Sequence, residues 1–147
     1  MPASTHSNFE QLYNGMLYSL MSWAQFDAFW SGIDPAAGWY LYAVGQDVPS
    51  QPAKADDVRA FLREIEALLK REHEQEYCGI VYADDLQHPR LVKIYDPHQL
   101  GSSCGSSGTT VLPGWVMSRM PPEDLKPVAP VPNNRKRWWA ALWPSLT

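Results

Sequence analysis

The sequence predicts an α+β fold: an N-terminal helix, a βαβ unit with an antiparallel third strand, short extra strands, and a small sheet packed against two helices. Three observations predict it. Apolar residues from Phe9 to Trp30 recur at helical spacing. Val58, Phe61, Leu62, Ile65, Leu68 and Leu69 make a single stripe on a second helix. Short aromatic and β-branched runs, WYLYAV at 39–44, YCGIVYA at 77–83 and RLVKIY at 90–95, flank that stripe. A chain of 147 residues with 45% apolar content suits one such domain with an appendage.

In chain order, Ser7-Asn8-Phe9-Glu10 has capping-box spacing and predicts a helix start, with Gly32 and Pro35 as its stop. Asp27 is the only charge between Glu10 and Asp34, so this helix is apolar around most of its girth. Burial on more than one side, or a homodimer formed through this helix, would satisfy it. Gly38 and Gly45 bound the first strand. Asp56 and Asp57 place negative charge at the start of the second helix, where the helix dipole favours it. A helix between the first two strands implies parallel pairing and a right-handed crossover. Residues 84–89 join the second and third strands as a hairpin loop. Residues 109–112 and 115–119 read as short strands interrupted by Pro113-Gly114. The boundaries follow: a globular domain over 1–120, a proline-rich linker over 121–134, and a basic, Trp-rich segment over 135–147.

Charge is divided unevenly. Residues 1–126 carry nine Lys/Arg against all sixteen Asp/Glu, a balance of −7, while residues 127–147 carry +3. An acidic body offers no face for a phosphate backbone, which argues against nucleic acid as a partner. Two cysteines, Cys78 and Cys104, do not make a disulfide framework. The opening MPASTHSN lacks a basic start followed by an apolar run. These features predict a cytoplasmic protein with reduced thiols.

Three sets of residues carry chemistry. Cys104 lies in the Gly/Ser-rich stretch GSSCGSSG, six residues after His98, with Asp96 placed to orient the imidazole. A thiolate beside a histidine and a cradle of backbone N–H groups would make a catalytic set of Cys104, His98 and Asp96. Against it, no histidine follows Cys104, no arginine follows closely, and Pro113-Gly114 comes too soon for the loop to open into a helix. Asp84, Asp85 and His88 offer oxygen and nitrogen donors to a divalent cation, but in the spacing of an ordinary polar turn. His73, Cys78, His98 and Cys104 are the loosest set, with zinc-type donors and no zinc-type spacing. The sequence therefore predicts no metal and no cofactor.

The C-terminal segment is the sharpest feature. Asn134 opens a short helix in which Arg135, Lys136 and Arg137 precede Trp138, Trp139, Leu142 and Trp143 on one broad face. So short a helix is marginal alone and forms against something. A groove on a partner protein is the first expectation, the acidic body of the chain itself the second, and an anionic membrane surface the third. The functional expectation is a binding or adaptor protein that docks through this segment. A thiol-dependent enzyme built on Cys104 is the alternative.

Overall fold

The computed structural model describes residues 8–98 in full, the backbone of 99 and 100, and residues 112–126 and 131–142. The elements are α1 (Asn8–Tyr13), β1 (Tyr18–Ser19), α2 (Trp23–Ser31), β2 (Tyr40–Ala43), α3 (Ala55–Glu72), β3 (Val81–Ala83), β4 (Leu91–Ile94), the single turn α4 (Pro97–Leu100), β5 (Trp115–Ser118) and α5 (Asn133–Ala141). The strands form one sheet in the order β1-β3-β4-β5-β2, and every neighbouring pair is antiparallel. The α+β class is as the sequence predicts.

The βαβ unit is not. β2 and β3 are separated by β4 and β5 and run in opposite directions. β2 instead pairs with β5, in the register Tyr42↔Val116 and Leu41↔Met117. The physical reason lies in burial. Leu41 and Ala43 face one core while Tyr42 faces another, so β2 needs a neighbour that is apolar on both sides. All four residues of β5 are buried, which meets that need. The antiparallel β3–β4 hairpin is as predicted.

The N-terminal helix is also corrected: it is two helices with a strand between them. Asn14 N–H closes the last α-type turn on Glu10, and Gly15 N–H reaches back only to Leu12. A Cβ on Gly15 would lie 2.9 Å from the Gln11 carbonyl oxygen, so the chain leaves the helix where it has no side chain. It then pairs briefly with β3 through β1. Ser22 restarts the helix: its hydroxyl accepts from Gln25 N–H while the Gln25 side chain accepts from Ser22 N–H, a reciprocal capping box. Ser7 of the expected box lies outside the described residues. The apolar girdle is divided accordingly. Phe9 goes to one face of the sheet, and Leu20, Phe26, Phe29 and Trp30 go to the other, so the apolar residues expected on one helix are shared between two cores.

Two cores result. The larger lies between the sheet and α2, α3 and α5. The α3 stripe is buried as predicted, and Asp56 and Asp57 at its start with Lys70 and Arg71 at its end complement the helix dipole. The indole N–H of Trp30 donates to the Leu62 carbonyl at 2.8 Å, so a large apolar side chain is buried without an orphaned donor. The smaller core is on the opposite face, where Phe9, Tyr42, Val44, Leu91 and Val116 meet Leu12, Tyr13, Leu112 and Leu125. Residues 121–126, which the sequence suggests are linker, lie against this face: the Tyr42 hydroxyl accepts from Leu125 N–H and reaches the Asp124 carboxylate.

Candidate functional site

Two buried charged side chains, Asp96 and Arg135, meet at one end of the larger core. β4 runs into Asp96, α3 ends at Glu72, and α5 brings Arg135 between them. Arg135 Nε donates to Asp96 Oδ2 at 2.8 Å and one terminal nitrogen to Asp96 Oδ1 at 3.0 Å. The same nitrogen reaches Glu72 Oε1 at 2.6 Å and the other reaches Glu72 Oε2 at 3.2 Å. Arg135 is 7% exposed and Asp96 3%. The planar guanidinium fork suits two carboxylates at once. Its effect is electrostatic as well as geometric: hydrogen bonds from Arg135 hold the Glu72 carboxyl below the usual carboxylate range, and those to Asp96 and Glu72 push the guanidinium pKa up.

Gly114 makes room for this arrangement. A Cβ there would lie 3.0 Å from the Asp96 Cβ, and Gly114 N–H donates to the Ile94 carbonyl at the end of the ladder. The local sequence also explains how Asp96 is aimed. Pro97 starts the α4 turn, and the backbone N–H of His98 donates to Asp96 Oδ1 at 2.9 Å.

Arg135 sets the orientation of α5. Trp138 packs on Trp115 with ring centroids 5.3 Å apart, Trp139 meets Phe61 edge-on at 6.0 Å, and Leu142 joins the same core. Lys136, Arg137, Ala140 and Ala141 point to solvent. Arg135, Trp138, Trp139 and Leu142 therefore lie against the chain's own body, while Lys136 and Arg137 remain outward. Trp143 lies outside the described residues.

Of the expected catalytic set, the structure describes Asp96 and His98. The Asp96 carboxylate holds Arg135 and the His98 backbone, and the His98 side chain is exposed. Cys104 lies outside the described residues. Asp84 and Asp85 organise the β3–β4 turn. Asp84 accepts from the backbone N–H groups of Arg90 and Leu91 and from the Arg90 side chain. Asp85 accepts from Gln87 and His88 N–H, which lowers its pKa. His88 is exposed. Among the described residues no group of three His, Cys, Asp or Glu can hold a metal. Of the zinc-type set, His73 Nε2 lies 2.8 Å from the Cys78 carbonyl oxygen, so that nitrogen carries the proton. Burial pushes the Cys78 thiol up, the wrong direction for a thiolate ligand.

Sequence reasoning missed Glu72 and Lys93. Lys93 belongs to a cross-strand row, Ser19–Tyr82–Lys93–Val116–Tyr42, on the smaller-core face. Its Nζ lies 3.6 Å from the centroid of the Tyr13 ring, and burial lowers its pKa. The alternation Leu91-Lys93-Tyr95 was the available signal, since it places a lysine on an apolar face. The α2–α3 groove, of about 430 Å³, is lined by Asp27, Trp30, Leu62, Glu66 and Lys70, and Lys70 pairs there with both acids.

No protein-family model, curated protein or solved structure matches the chain.

Proposed function

We propose that this is a small cytoplasmic binding protein of adaptor type, and that α5 is the element it presents to a partner protein. The observation that carries the reading is the burial of Arg135 between Asp96 and Glu72. It fixes a helix too short to be stable alone, turns its tryptophans inward, and leaves Lys136 and Arg137 as a basic outward pair. The tryptophans hold the helix in place, and the charges meet the partner. An acidic surface is the complement, because exposed charges act through screened attraction that steers and selects a partner.

The test compares the full chain with the Lys136→Glu/Arg137→Glu double variant. Both should melt at the same temperature, since the two side chains are outside the ion triad. Partner recovered by the full chain from its source cells should fall at least about tenfold with the variant and decline with rising salt. Equal recovery by both proteins, independent of salt, would overturn the reading.

A further inference from the structure

The sheet ends on one side at β1, whose outer edge carries exposed large apolar side chains. Met16 is 78% exposed, Met21 55%, Tyr77 53% and Tyr18 49%. Single exposed apolar residues are ordinary, but these lie together. β1 contains Tyr18, the Ser22↔Tyr77 bridge sets Tyr77 beside Met21, and the Ser19 hydroxyl donates to the Met21 sulfur at 3.3 Å. Leu20 N–H donates to the Val81 carbonyl, and Tyr18 stands opposite Ala83 two residues along. In an antiparallel ladder the residue between two such positions directs its N–H and C=O away from the partner strand. At β1 that residue is Ser19, and its backbone groups face outward.

The edge is apolar on both of its sides. Tyr18 and Ser19 point to opposite faces of the sheet, and Met21 lies on the Ser19 side because its sulfur sits on the Ser19 hydroxyl. A strand laid along β1 would turn alternate side chains toward Tyr18 and toward Met21. The surroundings are acidic. No charged residue occurs between Glu10 and Asp27, while Glu74 and Glu76 beside Tyr77 are exposed and make no ion pair among the described residues. Where β3 leaves the sheet, Asp84 and Asp85 are accompanied by Arg90, so the acidic flank is the one at Glu74 and Glu76.

We propose that the β1 edge is a docking site for an extended segment of another protein, a short apolar run flanked by lysine or arginine, added to the sheet as an antiparallel strand. Main-chain hydrogen bonds to Ser19 supply the register, and Tyr18, Met21 and Tyr77 receive the apolar side chains. Glu74 and Glu76 select basic flanks. A second copy of this chain fits poorly, since joining two β1 edges would bring like acidic rims together and pair strands of two residues each. This site is separate from the basic face of α5.

The experiment is fluorescence anisotropy on the full chain with labelled peptides of about seven residues, long enough for one strand. One set is a run of Val, Ile or Phe flanked by Lys or Arg, and the control set replaces the basic residues with Glu. Basic peptides should bind, and acidic ones at least about tenfold more weakly. Glu74→Lys/Glu76→Lys should reverse that preference. Ser19→Pro removes an outward N–H and should abolish binding, and Met21→Ser, on the exposed surface, should weaken it about tenfold without changing the melting temperature. Bound peptide should slow exchange of the Ser19 amide. The proposal fails if basic and acidic peptides bind alike, if no peptide binds, if Met21→Ser leaves binding intact, or if protection appears on α5 instead. Sedimentation showing dimers that basic peptide does not disperse would also overturn it, in favour of a second copy.

Discussion

α2 and α5 are both nine-residue helices that bring tryptophan to the same face of the sheet, yet they are held by different physics. α2 has a complete capping box and buries Phe26, Phe29 and Trp30. α5 starts at Pro132 without a side-chain cap, and its one buried residue is an arginine. Apolar burial holds α2 through many small contacts, each replaceable. α5 depends on three charges whose removal from water is compensated only while all three are present. One helix is secured by fully buried apolar side chains, and the other by partly buried tryptophans together with one ion joint.

The largest expected effect breaks that joint. Arg135→Ala leaves the nearly buried Asp96 without its cation and should cost about 3–5 kcal/mol, or release α5 altogether. Amide exchange resolves the two outcomes: residues 133–141 should lose protection while residues 23–31 keep theirs. Equal loss in both helices would show that α5 is as integral to the core as α2. Next, Gly114→Ala puts a methyl group against Asp96 from behind and should cost about 1–3 kcal/mol. It should loosen α5 while leaving Arg135 itself untouched. Ser22→Ala sharpens the comparison from the other side. It removes one half of the α2 capping box and should cost about 1 kcal/mol, read in a thermal melt, with α5 exchange unchanged.

The smallest effect is acid loosening. Arg135 lowers the pKa of Glu72, so the stability from that contact is fully present above the ordinary carboxylate value of 4.5 and is lost as pH falls through the lower folded value. Glu72 is 28% exposed, which limits the contact to about 1 kcal/mol or less. Protection of residues 133–141 should decline in that acid window. α2 carries only Asp27 in its exposed pair with Lys70, a contact of little worth, and should be insensitive.

The same contrast explains what the sequence made legible. The stripe from Val58 to Leu69 is a local periodicity, and α3 forms where it predicts. The strand runs are local too, and β2, β3 and β4 fall inside them. Pairing is not local. Nothing in WYLYAV names WVMS as its neighbour, so β5 read as an optional extra strand although it joins β2 to the rest of the sheet. Ser22-Trp23-Ala24-Gln25 was readable as a capping box, but the continuous apolar spacing around it concealed a helix boundary. The ion triad was beyond reach: Glu72, Asp96 and Arg135 are far apart in sequence, Glu72 carried no signal, Asp96 suggested a partner for His98, and Arg135 suggested one of three outward cations. The inward turn of Trp138 and Trp139 follows from that triad, which is why the tail suggested partner anchors before it suggested its own body.

The position of β5 sets the order of events during synthesis. β1, β3 and β4 can pair once residue 94 has left the ribosome, but β2, made earlier, has no partner among them. It must wait for residues 115–118, some seventy positions later, before its Tyr40–Ala43 edge is covered. Such long-range closure is slow, and an apolar strand left open on a nascent chain invites the wrong neighbour. The second strand of the polypeptide is thus the last to join the sheet, and nascent chains halted before residue 115 should engage holding chaperones in a way that chains released after residue 118 do not.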